Sequence, residues 1–239
     1  MPTPLFNVFF HRDTSTFSYV VHGSDSSECA IIDPVLDYNA ESARTSTVSA
    51  QAIVDYVKSH NLKVQWLLET HAHADHLSAA SWLKEQLGGQ LAIGDPITEV
   101  QRIFKNIYNF NDSPTIDLAF DVLFIPGQHF TIGNLEVEVL HVPGHTPADI
   151  AYHVKGLGVF VGDTLFMPDV GTARCDFPGG DARLLYSSIQ KLLNLPGDTH
   201  LFFATITRRP IGSSGIAAPW RNNASATFTS TMELRKMSL

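Results

Sequence analysis

One octet constrains this chain more than any other feature: Glu69-Thr70-His71-Ala72-His73-Ala74-Asp75-His76. It follows directly on the apolar run from Val64 to Leu68, which suits a buried strand. It precedes a stretch in which Leu77, Ala80, Leu83 and Leu87 recur at helical spacing and which Gly88-Gly89 stops. Polar groups wedged between a buried strand and an apolar helix need partners, because an unpartnered buried polar group costs several kcal/mol. In a loop at a strand end, the backbone can turn His71 and His73 towards one point and Asp75 and His76 towards another. Neutral imidazole and carboxylate together suit zinc, iron or manganese.

Two later segments repeat the placement. Pro143-Gly144-His145-Thr146 follows an alternating strand over 135–141, and Gly162-Asp163-Thr164 follows another over 157–161. Strands fix the geometry of ligands carried at their ends, so one site built from several strand ends is mechanically sound. The expected set is therefore His71, His73, Asp75, His76, His145 and Asp163, with Asp75 and Asp163 also as catalytic carboxylates.

The rest of the chain fits around that edge. Strands are expected at 17–21, 29–33, 64–68, 91–93, 122–125, 135–139, 150–154, 159–161 and 200–203. Helices are expected over 49–60, capped by Ser49, over 77–87, and over 181–193 with Leu184, Leu185, Ile189, Leu192 and Leu193 inward. Residues 97–116 read as a helical insertion. Strands that cluster with helices between them predict an α/β (α+β) chain, two packed sheets with helices outside. A hydrophobic share of 44% and a charged share of 17% exclude a disordered chain. No apolar run reaches the roughly 20 residues a bilayer span needs, so no membrane partner is expected. The net charge of −8 argues against nucleic acid, since neutralising phosphates takes an excess of Lys and Arg. Cys29 and Cys175 form no disulfide framework and the first residues form no signal peptide, so a cytoplasmic setting is expected.

With these motifs in place, residues 5–203 resemble the metallo-β-lactamase superfamily. The resemblance implies an αββα sandwich with metal at one edge of the sheets. It implies a first metal position at His71, His73 and His145, a bridging Asp163, and a second position at Asp75 and His76. Thr16-Phe17-Ser18-Tyr19, Ile32-Asp33-Pro34-Val35 and Gly171-Thr172-Ala173-Arg174-Cys175-Asp176-Phe177 look like the persulfide dioxygenase branch. That branch implies one Fe(II) on His71, His145 and Asp163, with positions open for O₂ and substrate, and oxidation of glutathione persulfide to sulfite. It also implies a small-molecule thiol or persulfide as partner, and a homodimer. Arg174 then either pairs a glutathione carboxylate or holds its own loop, and Asp176 orients a histidine. The competing readings are a glyoxalase II-like hydrolase of thioesters or esters using one or two zinc ions, and an inactive metal-binding product.

The C-terminus departs from the resemblance. Residues 1–203 carry 11 basic and 23 acidic side chains, a net of −12, whereas residues 204–239 carry five and one, a net of +4. Similar proteins continue after the last strand with a Cys-His-Asp-Tyr segment whose His completes the second metal position. Here the chain reads Phe203-Ala204-Thr205-Ile206-Thr207-Arg208-Arg209. Codons allowed for these residues spell Cys-His-Asp-Tyr-Pro-Pro when shifted by one base, and Pro219 to Ser225 yields Thr-Val-Ala-Glu-Gln-Arg-Lys in the same frame. The expected division is a domain over 1–203 and an atypical tail over 204–239, produced by a frameshift near residue 203.

Overall fold

The computed structural model describes residues 2–109, 120–167, 170–205 and, as backbone, 217–219. Eighteen of the nineteen described elements precede Thr205.

The first sheet has the order β1-β2-β3-β6-β8-β9. Its strands are β1 (Pro4–His11), β2 (Thr16–Gly23), β3 (Glu28–Ile32), β6 (Lys63–Leu68), β8 (Gln90–Gly94) and β9 (Val122–Phe124). The second sheet, β10-β11-β12-β13-β14-β15, comprises β10 (His129–Ile132), β11 (Leu135–His141), β12 (Ile150–Val154), β13 (Gly158–Phe160), β14 (His200–Phe202) and β15 (Ala217–Pro219). A small third sheet joins β4 (Val35–Asn39), β5 (Arg44–Ser46) and β7 (Leu77–Ser78).

Period-2 alternation decides which residues meet between the sheets. Tyr19, Val21, Ala30, Ile32, Leu68 and Phe124 point inward from the first sheet onto Val137, Val139, Tyr152, Phe160 and Phe202 of the second. The alternate residues point outward and are buried too. Val20, Cys29, Ile31, Val64 and Leu67 pack under α1 (Val48–Ser59) and α2 (Ala80–Leu87). Ala151, Val159 and Leu201 pack under Leu185, Ile189 and Leu192 of α4 (Ala182–Leu193). Both faces of each sheet are covered, which explains the near-continuous apolar strands. The four layers are the expected helix–sheet–sheet–helix order.

The pairings β3–β6, β6–β8 and β8–β9 are parallel, as is β13–β14. Parallel strands deliver their carboxyl ends to one edge, where an open α/β sheet binds ligands. That edge receives Asp33 after β3, Glu69 to His76 after β6, Asp163 after β13 and Thr205 after β14.

Several local expectations are corrected. Leu77 lies in β7, paired with Leu36, and is 46% exposed; the helix begins at Ala80. Leu184 is 49% exposed, because the inner stripe of α4 is filled by Leu185, Ser188, Ile189 and Leu192, with Leu193 half-buried beside it. Ser49 does not cap α1: its N–H and hydroxyl both donate to the Asp37 carboxylate from β4. The insertion contains α3 (Ile97–Ile107), and residues 110–119 lie outside the described residues, as does the tail apart from Ala204, Thr205 and β15. β1, β4, β5 and β10 were not anticipated. β1 is an edge strand whose form is set by its ladder with β2, and it lacks the alternation that marks a half-buried strand.

A candidate metal centre

The site begins with Asp33, the residue after β3, held at a φ of 48°. This carboxylate accepts from the Thr70 N–H at 2.7 Å and from the Thr70 hydroxyl at 2.9 Å, pinning the loop after β6. A hydroxyl has one hydrogen, and Thr70 spends it on Asp33, so the His71 Nδ1–H donates to the Thr70 oxygen at 2.9 Å. That fixes the His71 tautomer: Nε2 carries the lone pair. This atom is buried and has no hydrogen-bond partner. It sits 3.8 Å from Asp163 Oδ2.

His145 is fixed in the same manner. Its Nδ1–H donates to the Arg174 carbonyl at 2.6 Å, which leaves Nε2 as acceptor, and the Phe177 ring packs edge-on against the imidazole at 5.2 Å. Gly144 must be glycine, because a Cβ there would collide with the backbone of Leu185. Gly162 brings Asp163 in close: its φ is 55°, and an added Cβ would lie 2.6 Å from the Thr70 oxygen. Ligand atoms of His71, His145 and Asp163 lie within 4.8 Å of one another.

His73 is oriented by two acids. Its Nε2–H donates to Glu69 Oε2 at 3.1 Å and to Asp33 Oδ1 at 3.3 Å, so Nδ1 is the nitrogen left for a ligand. Ser78, ahead of α2, donates its hydroxyl to the other Glu69 oxygen. The His73 ring lies 4.1 Å from His71 and 4.1 Å from His76, which places it between two donor sets. The second set is His73, Asp75 and His76, again within 4.8 Å of one another. His76 Nδ1 meets Asp75 Oδ1 at 3.2 Å, while its Nε2 is buried without a partner.

The electrostatics follow from this packing. Burial pushes the His71 imidazolium far down, and the neighbouring His73, His145 and His76 push it the same way, so His71 is neutral and available as a ligand. Burial acts downward on His73 as well, but Asp33 and Glu69 outweigh it and hold that imidazole well above the usual histidine range. Burial raises Asp163, and Asp75 adds to the rise, against the opposing pull of His73, His145 and the Thr205 hydroxyl. Burial also opposes ionisation of Asp75, but its bond to His76 prevails and the pKa falls. Asp163 and His71 are thus two groups that fit poorly beside each other unless a cation joins them. The orphaned nitrogens of His71 and His76 have the same meaning, since buried polar atoms without partners are rare. The donor set fits a borderline divalent metal.

All six expected ligands converge at one edge. Of the two parts expected of Arg174, the structure shows the one within its own loop, and Asp176 does not meet the histidine expected of it. Arg174 forms a two-pronged pair with Asp176 at 2.6 and 2.7 Å, and its guanidinium lies 5.0 Å from the Phe177 ring centre. The Arg174 side chain therefore holds its own loop. Asp176 is taken by Arg174, so the carbonyl of Arg174, not Asp176, orients His145. Cys175 is half-buried and packs at the edge of the α4 cluster. The sequence reading missed Asp33 and Glu69 as partners of the ligands. The available signal was a carboxylate at the end of an apolar strand, Ile31-Ile32-Asp33, matched by Leu67-Leu68-Glu69 on the next strand.

A profile of the Metallo-beta-lactamase superfamily matches residues 11–204. The chain belongs to that superfamily. Its members are typically metalloenzymes, and the profile spans all six expected ligands. The chain is 46% identical over 234 residues to the beta-lactamase hydrolase-like protein of Agrobacterium fabrum, covering 98% of this chain and 53% of that protein. It is 47% identical over 191 residues to glyoxylase B2 of Dictyostelium discoideum, covering 79% of this chain and 65% of that one. The chain thus spans about half the length of the first of these relatives and under two thirds of the second. Among solved structures, ETHE1 from Myxococcus xanthus superposes with a TM-score of 0.72 at 23% identity, covering 96% of this chain and 90% of that one, which establishes the shared fold. No helix among the described residues is long and apolar enough to cross a membrane.

Proposed function

We propose that this protein oxidises a low-molecular-weight thiol persulfide, glutathione persulfide above all, to sulfite and the free thiol at a single iron. The supporting observation is the buried triad of His71, His145 and Asp163. Two imidazoles and one carboxylate would hold a ferrous ion and leave room for other ligands, a donor set suited to ferrous oxygen chemistry. A ferrous ion held there would supply the site for O₂ activation and for the substrate sulfur. The balance is one persulfide, one O₂ and one water giving thiol, hydrogen sulfite and a proton; the terminal sulfur is oxidised and O₂ is reduced. The chain's own residues do the rest. Thr70 and the Arg174 carbonyl keep both Nε2 lone pairs aimed at one point. Asp33 and Glu69 accept from the His73 Nε2–H and orient its ring beside them.

The second reading is hydrolysis of a thioester or ester, favoured by the second donor set at His73, Asp75 and His76 and by the hydrolase-like names of the relatives. Zinc would supply a water of pKa near 7. Metal analysis of protein purified without added metal, combined with O₂ consumption, separates the readings. About one iron per chain with O₂ uptake on glutathione persulfide supports the first. Two zinc ions with thioester cleavage and no O₂ uptake replaces it with the second. Bound metal with neither activity leaves the inactive product.

The tail after residue 203 is proposed to arise from a shifted reading frame. The supporting observation is the change of charge and motif after residue 203. Resequencing the DNA around codon 203 tests it: codons that fail to give Cys-His-Asp-Tyr in the neighbouring frame reject the idea.

A further inference from the structure

The segment that follows β14 is pinned against β2. The Tyr19 hydroxyl donates to the Phe203 carbonyl at 2.5 Å, and the Phe17 N–H donates to the Ala204 carbonyl at 2.7 Å. Thr16 and Thr205 form an isolated antiparallel bridge. Each of these bridged threonines turns its hydroxyl to a different carboxylate of the site. Thr205 Oγ1 donates to Asp163 Oδ1 at 2.9 Å. Thr16 Oγ1 lies 3.5 Å from Asp75 Oδ2 and 3.3 Å from the Thr14 carbonyl.

The two oxygens of Asp163 are therefore divided. Oδ2 faces His71, and Oδ1 is occupied by a hydroxyl. An ion on the triad keeps three donors: two imidazole nitrogens with fixed tautomers and Asp163 Oδ2. An ion on the other side meets two imidazole nitrogens without a hydrogen-bond partner, His73 Nδ1 and His76 Nε2, one short of three. The other groups within its reach are engaged: Asp75 Oδ1 with His76, Asp75 Oδ2 near Thr16, and Asp163 Oδ1 with Thr205. Tight protein-held zinc takes at least three protein ligands.

We propose that Thr205, backed by Thr16, sets the metal stoichiometry of this chain: the Thr205 hydroxyl keeps Asp163 from bridging and leaves the second position weak. The inference rests on the metal-centre reading above and not on the oxygen chemistry. Hydrogen-bond partners of metal ligands typically shift metal affinity 10–100-fold, which sets the expected scale.

Metal-free full-length protein is dialysed against graded Zn²⁺ and, without air, against Fe²⁺, and bound metal is counted per chain. The wild type is expected to take one ion tightly and a second about 100-fold more weakly. Thr205→Ser keeps that profile. Thr205→Val, which frees Asp163 Oδ1, tightens the second ion several-fold. Thr205→His, which adds an imidazole, brings it within about tenfold of the first. Circular dichroism of each metal-free variant checks folding, and Thr205→Val carries the test if Thr205→His fails to fold. Two equally tight ions in the wild type overturn the proposal. So does a second binding constant that is the same in the Val variant, or in a folded His variant, as in the wild type. One tight ion without O₂ uptake refutes the dioxygenase reading and leaves this proposal standing.

Discussion

The two donor sets share a ring edge, yet they are built differently. In the set of His71, His145 and Asp163, a hydrogen bond behind each imidazole fixes its tautomer, and His71 and His145 are buried. In the set of His73, Asp75 and His76, Asp75 is exposed, its contact with His76 is between sequence neighbours, and His73 alone is tied to acids outside the set, Asp33 and Glu69. The first set draws on β6, β13 and the loop after β11, all anchored in sheets. The second comes from one loop. A site assembled from rigid strand ends holds its geometry without its ligand, and a site within a loop must be ordered by it. The first set should therefore bind metal more tightly and be harder to perturb by changes outside it.

The largest effect that would break this comparison comes from the first set itself. Asp163→Ala or His145→Ala is expected to weaken the tight ion by more than about 100-fold, beyond the range for partners of ligands, and to abolish turnover. Unchanged turnover would refute the site. Next comes Asp33→Ala, which removes the acceptor for two Thr70 donors and one His73 donor. Metal affinity should fall 10–100-fold, and the metal-free fold should lose about 3 kcal/mol, measured by urea unfolding. Asp75→Asn should cost less than about threefold in the affinity of the first ion; a loss as large as that of Asp163→Ala would mean that the two sets form one site.

A smaller effect concerns pH. Burial raises the Asp149 carboxyl to about 6, against hydrogen bonds from the Thr146 N–H and hydroxyl. A folded pKa above the unfolded value means that this group favours the folded state most below about pH 4 and loses that contribution as pH rises through about 6. The stability of metal-free wild type relative to Asp149→Asn should therefore fall between pH 4 and pH 7, by at most about 3 kcal/mol. A difference that rises with pH would show that the carboxyl is ionised and stabilised in the fold.

Much of this was legible in the sequence because the constraints were local. Buried strands covered on both faces produce continuous apolar runs, so β2, β3, β6 and β12 stand out. The octet after β6 announces its chemistry because histidines and acids otherwise have no reason to crowd between a strand and a helix. What escaped was set by distance along the chain. Leu77 has helical spacing but pairs with Leu36 of β4, and nothing near Leu77 records that strand. Asp37 takes the capping role expected of Ser49 because β4 folds back over the start of α1. Asp33 and Glu69 look like ordinary strand-end acids until the parallel pairing of β3 and β6 brings both onto His73. Asp176 fell to a nearer partner, Arg174, two residues away.

The proposed function puts one iron on the buried triad, where it turns over persulfide with O₂. The direct test loads metal-free protein with one equivalent of ferrous iron, supplies glutathione persulfide, and follows O₂ and sulfite together. One O₂ is expected to be consumed per sulfite formed, and both are expected to be lost on Asp163→Ala. No O₂ uptake by the iron-loaded protein, with thioester cleavage by the same chain loaded with zinc, would contradict it.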